Sequence, residues 1–145
     1  MDKRLEILIH FDYKYIINYS SIEEQKKLID EQSINMNYIL EPSKELQLYF
    51  INKNPINIGH IRNSCNEAQM ISVKYDCSVI ECILHPSIEV QDYVLSKNIY
   101  YLDDIHNIHF DIIKKYYTLI VNKKLTVYYA KYTVDQLIEL KLLSS

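Results

Sequence analysis

The sequence holds one glycine, Gly59, two alanines, Ala68 and Ala130, three prolines and no tryptophan in 145 residues. Gly-rich phosphate loops and β-sandwich turns both need more glycine than this, which excludes dinucleotide-binding folds and sandwiches. Arginine is scarce as well, with Arg4 and Arg62 the only two among 16 basic side chains. The three cysteines, Cys65, Cys77 and Cys82, are odd in number and lack CxxC spacing, so neither a disulfide framework nor a zinc site is expected. No apolar run reaches the roughly 20 residues of a membrane span. Behind Lys3 and Arg4, the run Ile7-Leu8-Ile9 stops at His10, too short for a signal-peptide core. A soluble, cytoplasmic chain without membrane contact is the expectation.

Hydrophobic residues make up 48% of the chain and charged residues 24%, enough to build a core, and the length suits one domain. With 16 basic and 19 acidic side chains the net charge is −3, which gives no global field to recruit nucleic acid. Tyrosine is abundant, with 14 copies, alongside many Lys, Ile and Asn residues. These residues have A/T-rich codons, so the bias points to an A/T-rich genome rather than to an activity.

An internal repeat organises the chain. Gln25, Gln47, Gln69 and Gln91 are spaced 22 apart. Glu23, Glu45, Glu67 and Glu89 precede them by two positions, Ser21, Ser43, Cys65 and Ser87 by four, and Ile39, Ile61, Ile83 and Ile105 follow by 14. Within each unit the columns Leu28/Phe50/Ser72/Val94 and Ile29/Ile51/Val73/Leu95 form the apolar stripe of a short helix. Ser21-x-x-Glu24 and Thr133-x-x-Gln136 have capping-box spacing. Pro42 and Pro86 are expected in the first turn of their helices. After a polar break at Gln32, Asn54, Asp76 and Asn98, a second, shorter helix presents Met36/Ile58/Ile80/Leu102 and the isoleucine column three residues on. Each unit therefore reads as a helical hairpin too small to bury its stripe alone. Stacking in register solves this, and the expected fold is all-α: a short, HEAT-like, right-handed α-solenoid. Residues 1–18 are assigned to an N-terminal cap, 19–105 to four repeats, and 106–145 to a degenerate repeat and C-terminal cap, together one domain.

The runs Glu41-Pro42-Ser43-Lys44-Glu45-Leu46-Gln47 and His85-Pro86-Ser87-Ile88-Glu89-Val90-Gln91 resemble a largely uncharacterised helical-hairpin repeat of bacterial, phage and large-virus proteins. Its units read approximately Asn-Pro-Ser-x-Glu-Val-Gln and recur with the same period, so the resemblance covers residues 19–105. It implies no catalytic residue. The chain departs from that family in lacking its small Ala and Gly positions, which implies wider helix spacing.

The glutamine column is read as structural, each amide bonding the connecting backbone of the next unit. His106-x-x-His109 has no carboxylate or cysteine at ligand spacing, so no metal is expected. Asp103 and Asp104 are adjacent and diverge on a helix, and none of the hydrolase, metalloprotease or phosphate-loop motifs occurs, so no enzyme, catalytic residue or cofactor is assigned. Columns that vary between repeats are the candidate partner surface: Tyr38, His60, Glu81, Asp103 and Asp104 on the second helices, and Leu48 and Met70 as an apolar pair on the first. Residues 112–134 carry five lysines and five tyrosines without an acid. There, Lys114, Lys115, Lys123, Lys124, Tyr128 and Tyr129 are the candidate contacts for single-stranded nucleic acid. A protein-binding module is the leading expectation, with the resemblance implying a phage or viral inhibitor or adaptor of a host-defence complex (anti-CRISPR-like) in the host cytoplasm. The alternative is a single-stranded nucleic-acid binder.

Overall fold

The computed structural model describes residues 18–31, 36–125, 127 and 132–142. The expected N-terminal cap up to residue 17, the polar break at Gln32, and Tyr128 and Tyr129 lie outside the described residues. All regular elements among the described residues are helical, with no strand. Six α-helices, α1 (Ile22–Asp30), α2 (Lys44–Lys53), α3 (Asn66–Tyr75), α4 (Ile88–Lys97), α5 (Phe110–Asn122) and α6 (Val134–Leu142), occur among them. Between the first five run short 3-10 helices at Met36–Tyr38, Pro55–His60, Cys77–Cys82 and Ile99–Asp104. The chain forms two compact units, residues 1–72 and 73–145.

The local chemistry accounts for each start and stop. Ser21, Ser43 and Ser87 are N-caps whose hydroxyls accept from the amides of Glu24, Leu46 and Val90. The Glu24 carboxylate in turn accepts from Ser21 N at 2.9 Å, completing the capping box. Thr133 and Gln136 repeat the arrangement at α6, with Thr133 N donating to Gln136 Oε1 at 2.9 Å. The glutamate column falls in the first turn of α1 to α4, where negative charge meets the exposed amides of the helix start. Pro42 and Pro86 do not occupy the first turn: each stands just before the serine N-cap. That corrects the sequence expectation, and the glutamine geometry below gives its cause.

The second element of each hairpin is a 3-10 helix rather than an α-helix. Asn54, Asp76 and Asn98 end one helix and begin the next element, their side chains accepting from the amides of Ile56, Ser78 and Tyr100. This two-residue reach is an Asx turn, which sets a tight start. The following bonds, such as Ile61 N to Ile58 O at 3.0 Å and Ile83 N to Ile80 O at 3.1 Å, close three-residue turns. Side chains three apart then lie on one side. Ile58 with Ile61, Ile80 with Ile83 and Leu102 with Ile105 are buried for that reason.

In the first unit α1 packs on α2, and α2 on its own 3-10 helix. The core there includes Ile29, Met36, Leu46, Ile51 and Ile58. In the second unit the two 3-10 helices Cys77–Cys82 and Ile99–Asp104 lie against each other, α4 packs on α5, and α5 on α6. Its core includes Ile80, Val90, Val94, Ile113, Ile120 and Leu140. Besides the repeat glutamines, one more polar side chain sits in the core. Ser72 is fully buried in a column otherwise filled by Leu28, Phe50 and Val94, and its hydroxyl has no hydrogen-bond partner among the described residues.

Candidate interaction surfaces

The glutamines come first, because they decide which surfaces remain for a partner. All four are buried. In the first unit Gln47 Nε2 donates to Pro42 O at 2.9 Å, while Gln47 Oε1 accepts from Cys65 N at 2.7 Å. In the second, Gln91 Nε2 donates to Pro86 O at 2.8 Å and Oε1 accepts from His109 N at 2.9 Å. Gln69 Nε2 makes the same backward bond to Ser64 O, at 2.9 Å. Each two-sided bridge thus joins the turn before its own helix to the N-cap amide of the next. The sequence expectation placed both bonds in the next unit, but the donor bond falls five residues back. Proline suits that site, since only its carbonyl is used. Both ends of the Gln47 and Gln91 amides are thus consumed by the scaffold.

Charged ridges add a second set of forward contacts. In the first unit Lys26 Nζ lies 2.8 Å from Glu23 and 2.7 Å from Glu45, and both carboxylates hold the ammonium charged beyond the usual lysine range. Asp30 receives Lys53 at 2.6 Å and the Tyr49 hydroxyl at 2.7 Å, which hold its carboxyl below the ordinary value. In the second unit Asp92 takes Lys115 at 2.7 Å and Tyr116 Oη at 2.9 Å, and its carboxyl is likewise lowered, by Lys115 first. Burial, then the Asp92 bond, pushes the Tyr116 phenol up to about 12.

Of the candidate partner residues in the first unit, Tyr38, Leu48 and Met70 are half-buried and His60 is exposed. His60 Nδ1 lies 3.5 Å from Asn37 Nδ2, so two successive second elements meet there at their variable positions. In the second unit Glu81 and Asp103 are exposed and Asp104 half-buried, carried on the two 3-10 helices that pack together. The backbone carbonyl of Glu81 is engaged by His106 Nε2 at 2.9 Å. His106 and His109 do not share a helix face: the first lies in a turn and the second is the N-cap of α5. No group of three metal-ligating side chains occurs among the described residues, and no helix there is long and apolar enough to cross a membrane.

The basic segment is less open than its composition implies. Lys114 pairs with Glu139 at 2.8 Å and Lys115 with Asp92, so acids from neighbouring helices offset two of the four candidate lysines. Lys123 and Lys124 are exposed at the end of α5. Burial raises the Cys77 thiol above its usual range, so it is not held as a ready thiolate.

Sequence reasoning missed a group of exposed apolar side chains. Leu40 and Ile56 stand out in the first unit, Leu84 and Tyr100 in the second. Their positions carry the missing signal: 84 follows 40, and 100 follows 56, by two repeats rather than one. Tyr49 and Lys53 recur in the same way as Tyr93 and Lys97, with each ammonium over its ring at 5.0 and 5.1 Å. No family model, curated protein or solved structure matches this chain, so the family resemblance rests on the repeat columns themselves.

Proposed function

We propose that the protein is a non-enzymatic protein-interaction module, a short right-handed α-solenoid whose second elements present the binding edge. One observation carries the reading. The 3-10 helices keep the same buried positions, filled by Met36, Ile58, Ile80 and Leu102, while the positions beside them vary: Asn37, Gly59, Glu81 and Asp103 in one column, Tyr38, His60, Cys82 and Asp104 in the next. A scaffold held constant beneath a varied surface is how repeat arrays build extended recognition faces. The exposed Leu40 and Ile56, and Leu84 and Tyr100, supply apolar area, and Tyr100 is of a residue type enriched among the side chains that contribute most at interfaces. Acidic Glu81, Asp103 and Asp104 would favour a basic partner surface in the second unit. The A/T-rich codon bias and the resemblance to phage and viral repeats extend this to an inhibitor or adaptor of a host protein complex, acting in the host cytoplasm.

The test is affinity capture from host lysate with nuclease present, comparing the native chain with Asp103→Lys/Asp104→Lys and Leu84→Asp/Tyr100→Asp variants. A protein retained by the native chain and lost with either variant supports the reading. The competing reading, single-stranded nucleic-acid binding through Lys123 and Lys124, requires salt-dependent affinity for an oligonucleotide that Lys123→Glu/Lys124→Glu abolishes. Such binding, with no nuclease-resistant protein captured, would overturn the proposal.

A further inference from the structure

We propose that His109 is a pH-sensitive cap: protonation exchanges its bond to the start of α5 for an ion pair and loosens the seat of α5 on α4. The starts of α1, α2, α4 and α6 are capped by hydroxyls, from Ser21, Ser43, Ser87 and Thr133. A hydroxyl accepts a hydrogen bond at any ordinary pH. At α5 the cap is an imidazole, whose Nδ1 accepts from Asp111 N at 3.3 Å. The same nitrogen lies 3.5 Å from Asp111 Oδ2. These two partners require opposite states of one atom. The amide needs a bare lone pair on Nδ1, and the carboxylate needs a hydrogen there. Histidine is the side chain that ordinarily changes between those states near pH 6.5.

The balance of terms sets the direction. Losing a cap acceptor shifts a helix equilibrium by roughly 2- to 30-fold. The imidazolium then also stands at the positive end of the helix, where a cation is unfavourable. The ion pair gained in exchange returns little, because its side chains are 47% and 65% exposed. The cap is therefore complete above the histidine range and lost as pH falls through it. His109 is also where α5 is tied down: its N–H donates to Gln91 Oε1 at 2.9 Å, and its carbonyl accepts from Ile112 N and Ile113 N. The helices packed against α5 bring no second histidine. Asp92 of α4 and Glu139 of α6 are held by Lys115 and Lys114. Glu89, Tyr93 and Lys97 on α4, and Asp135 and Lys141 on α6, complete the titratable groups of those helices, and Tyr132 bonds Ile108 O. Carboxylates, phenols and ammonium groups ordinarily titrate outside the range of about pH 5.5–7.5.

The test compares the full native chain with His109→Asn by nuclear magnetic resonance between about pH 7.5 and about pH 5.5. Asparagine keeps an acceptor with the same two-residue reach, as Asn54 and Asn98 show, and does not titrate. Position 109 is exposed, so the variant folds, and both chains keep His60, His85 and His106. In the native chain the Asp111 amide resonance should move with the titration of the His109 ring. The exchange protection of Ile113 N–H, corrected for the intrinsic pH dependence, should fall at least about threefold on acidification. In His109→Asn it should stay constant. An Asp111 amide indifferent to the ring titration overturns the proposal. So does the same pH course in both chains, or a native protection that rises in acid, which would make the ion pair the stronger partner.

Discussion

Replacing Gln91 tests the central structural claim most directly. The side chain is buried and makes two bonds, to Pro86 O at 2.8 Å and from His109 N at 2.9 Å. Methionine has nearly the same length and volume, so Gln91→Met keeps the packing and removes only the bridge. Each lost hydrogen bond is worth about 1 kcal/mol net, and a partner stranded away from water adds about 1–3 kcal/mol. Pro86 is buried and its carbonyl is stranded, whereas His109 is exposed and its amide has a route to solvent. The sum is about 3–5 kcal/mol. Gln91→Ala adds a cavity term and should cost more. Urea unfolding at unchanged m-value reads the total, and with m about 2 kcal/mol per molar the midpoint falls by about 1.5–2.5 M. Amide hydrogen exchange at His109 reads the bridge itself: protected in the native chain, it should exchange at least tenfold faster in Gln91→Met. A methionine variant as stable as the native chain to within about 0.5 kcal/mol, the range of an ordinary surface change, with His109 still protected, would refute the idea that these amides tie one hairpin to the next.

Three further outcomes are expected. Ser72→Ala should raise stability by about 1 kcal/mol in thermal or urea unfolding, because it removes a buried hydroxyl without a partner among the described residues; a loss larger than that would show the hydroxyl is satisfied. Tyr116 has its phenol raised to about 12 against an ordinary value near 10, so its contribution to stability is complete below about pH 10 and lost as pH rises through 12. Tyr116→Phe should flatten that alkaline decline, and an unchanged slope would count against the assignment. Asp103→Lys with Asp104→Lys should leave stability within about 1 kcal/mol, as expected for side chains outside the core; a collapse of the melting transition would place them in the scaffold.

Much of the fold was legible because the repeat columns are chemical necessities. Serine before Glu-x-Gln is an N-cap signal, and Ser21, Ser43 and Ser87 all cap. The apolar pairs three apart were also plain, and they carried more than was read from them. Ile58 with Ile61 and Ile80 with Ile83 repeat the period of a 3-10 helix, and Asn54 and Asp76 were the Asx signals for it. The ion pairs were not legible. Lys115 and Asp92 belong to different helices, and only the packing of α5 on α4 brings them together. That is why a segment free of acids in sequence is partly neutralised in space. The exposed apolar residues escaped for another reason. Leu40 and Leu84 recur with a period of two repeats, which a search for the single-repeat period averages away.

The glutamine bridge also sets a rule about where proline is permitted. The residue five before each bridging glutamine contributes a carbonyl only, so Pro42 and Pro86 stand there without loss. The residue 18 after it must contribute an amide hydrogen, as Cys65 and His109 do. Proline has none. Two consecutive positions in the same connecting turn therefore obey opposite constraints: proline is welcome just before the N-cap and forbidden at the N-cap itself. Exchanging the order of Pro86 and Ser87 would conserve composition, volume and helix propensity almost entirely. It would still take away the hydroxyl cap on Val90 and the fixed turn before it, so the start of α4 depends on the order of two adjacent residues.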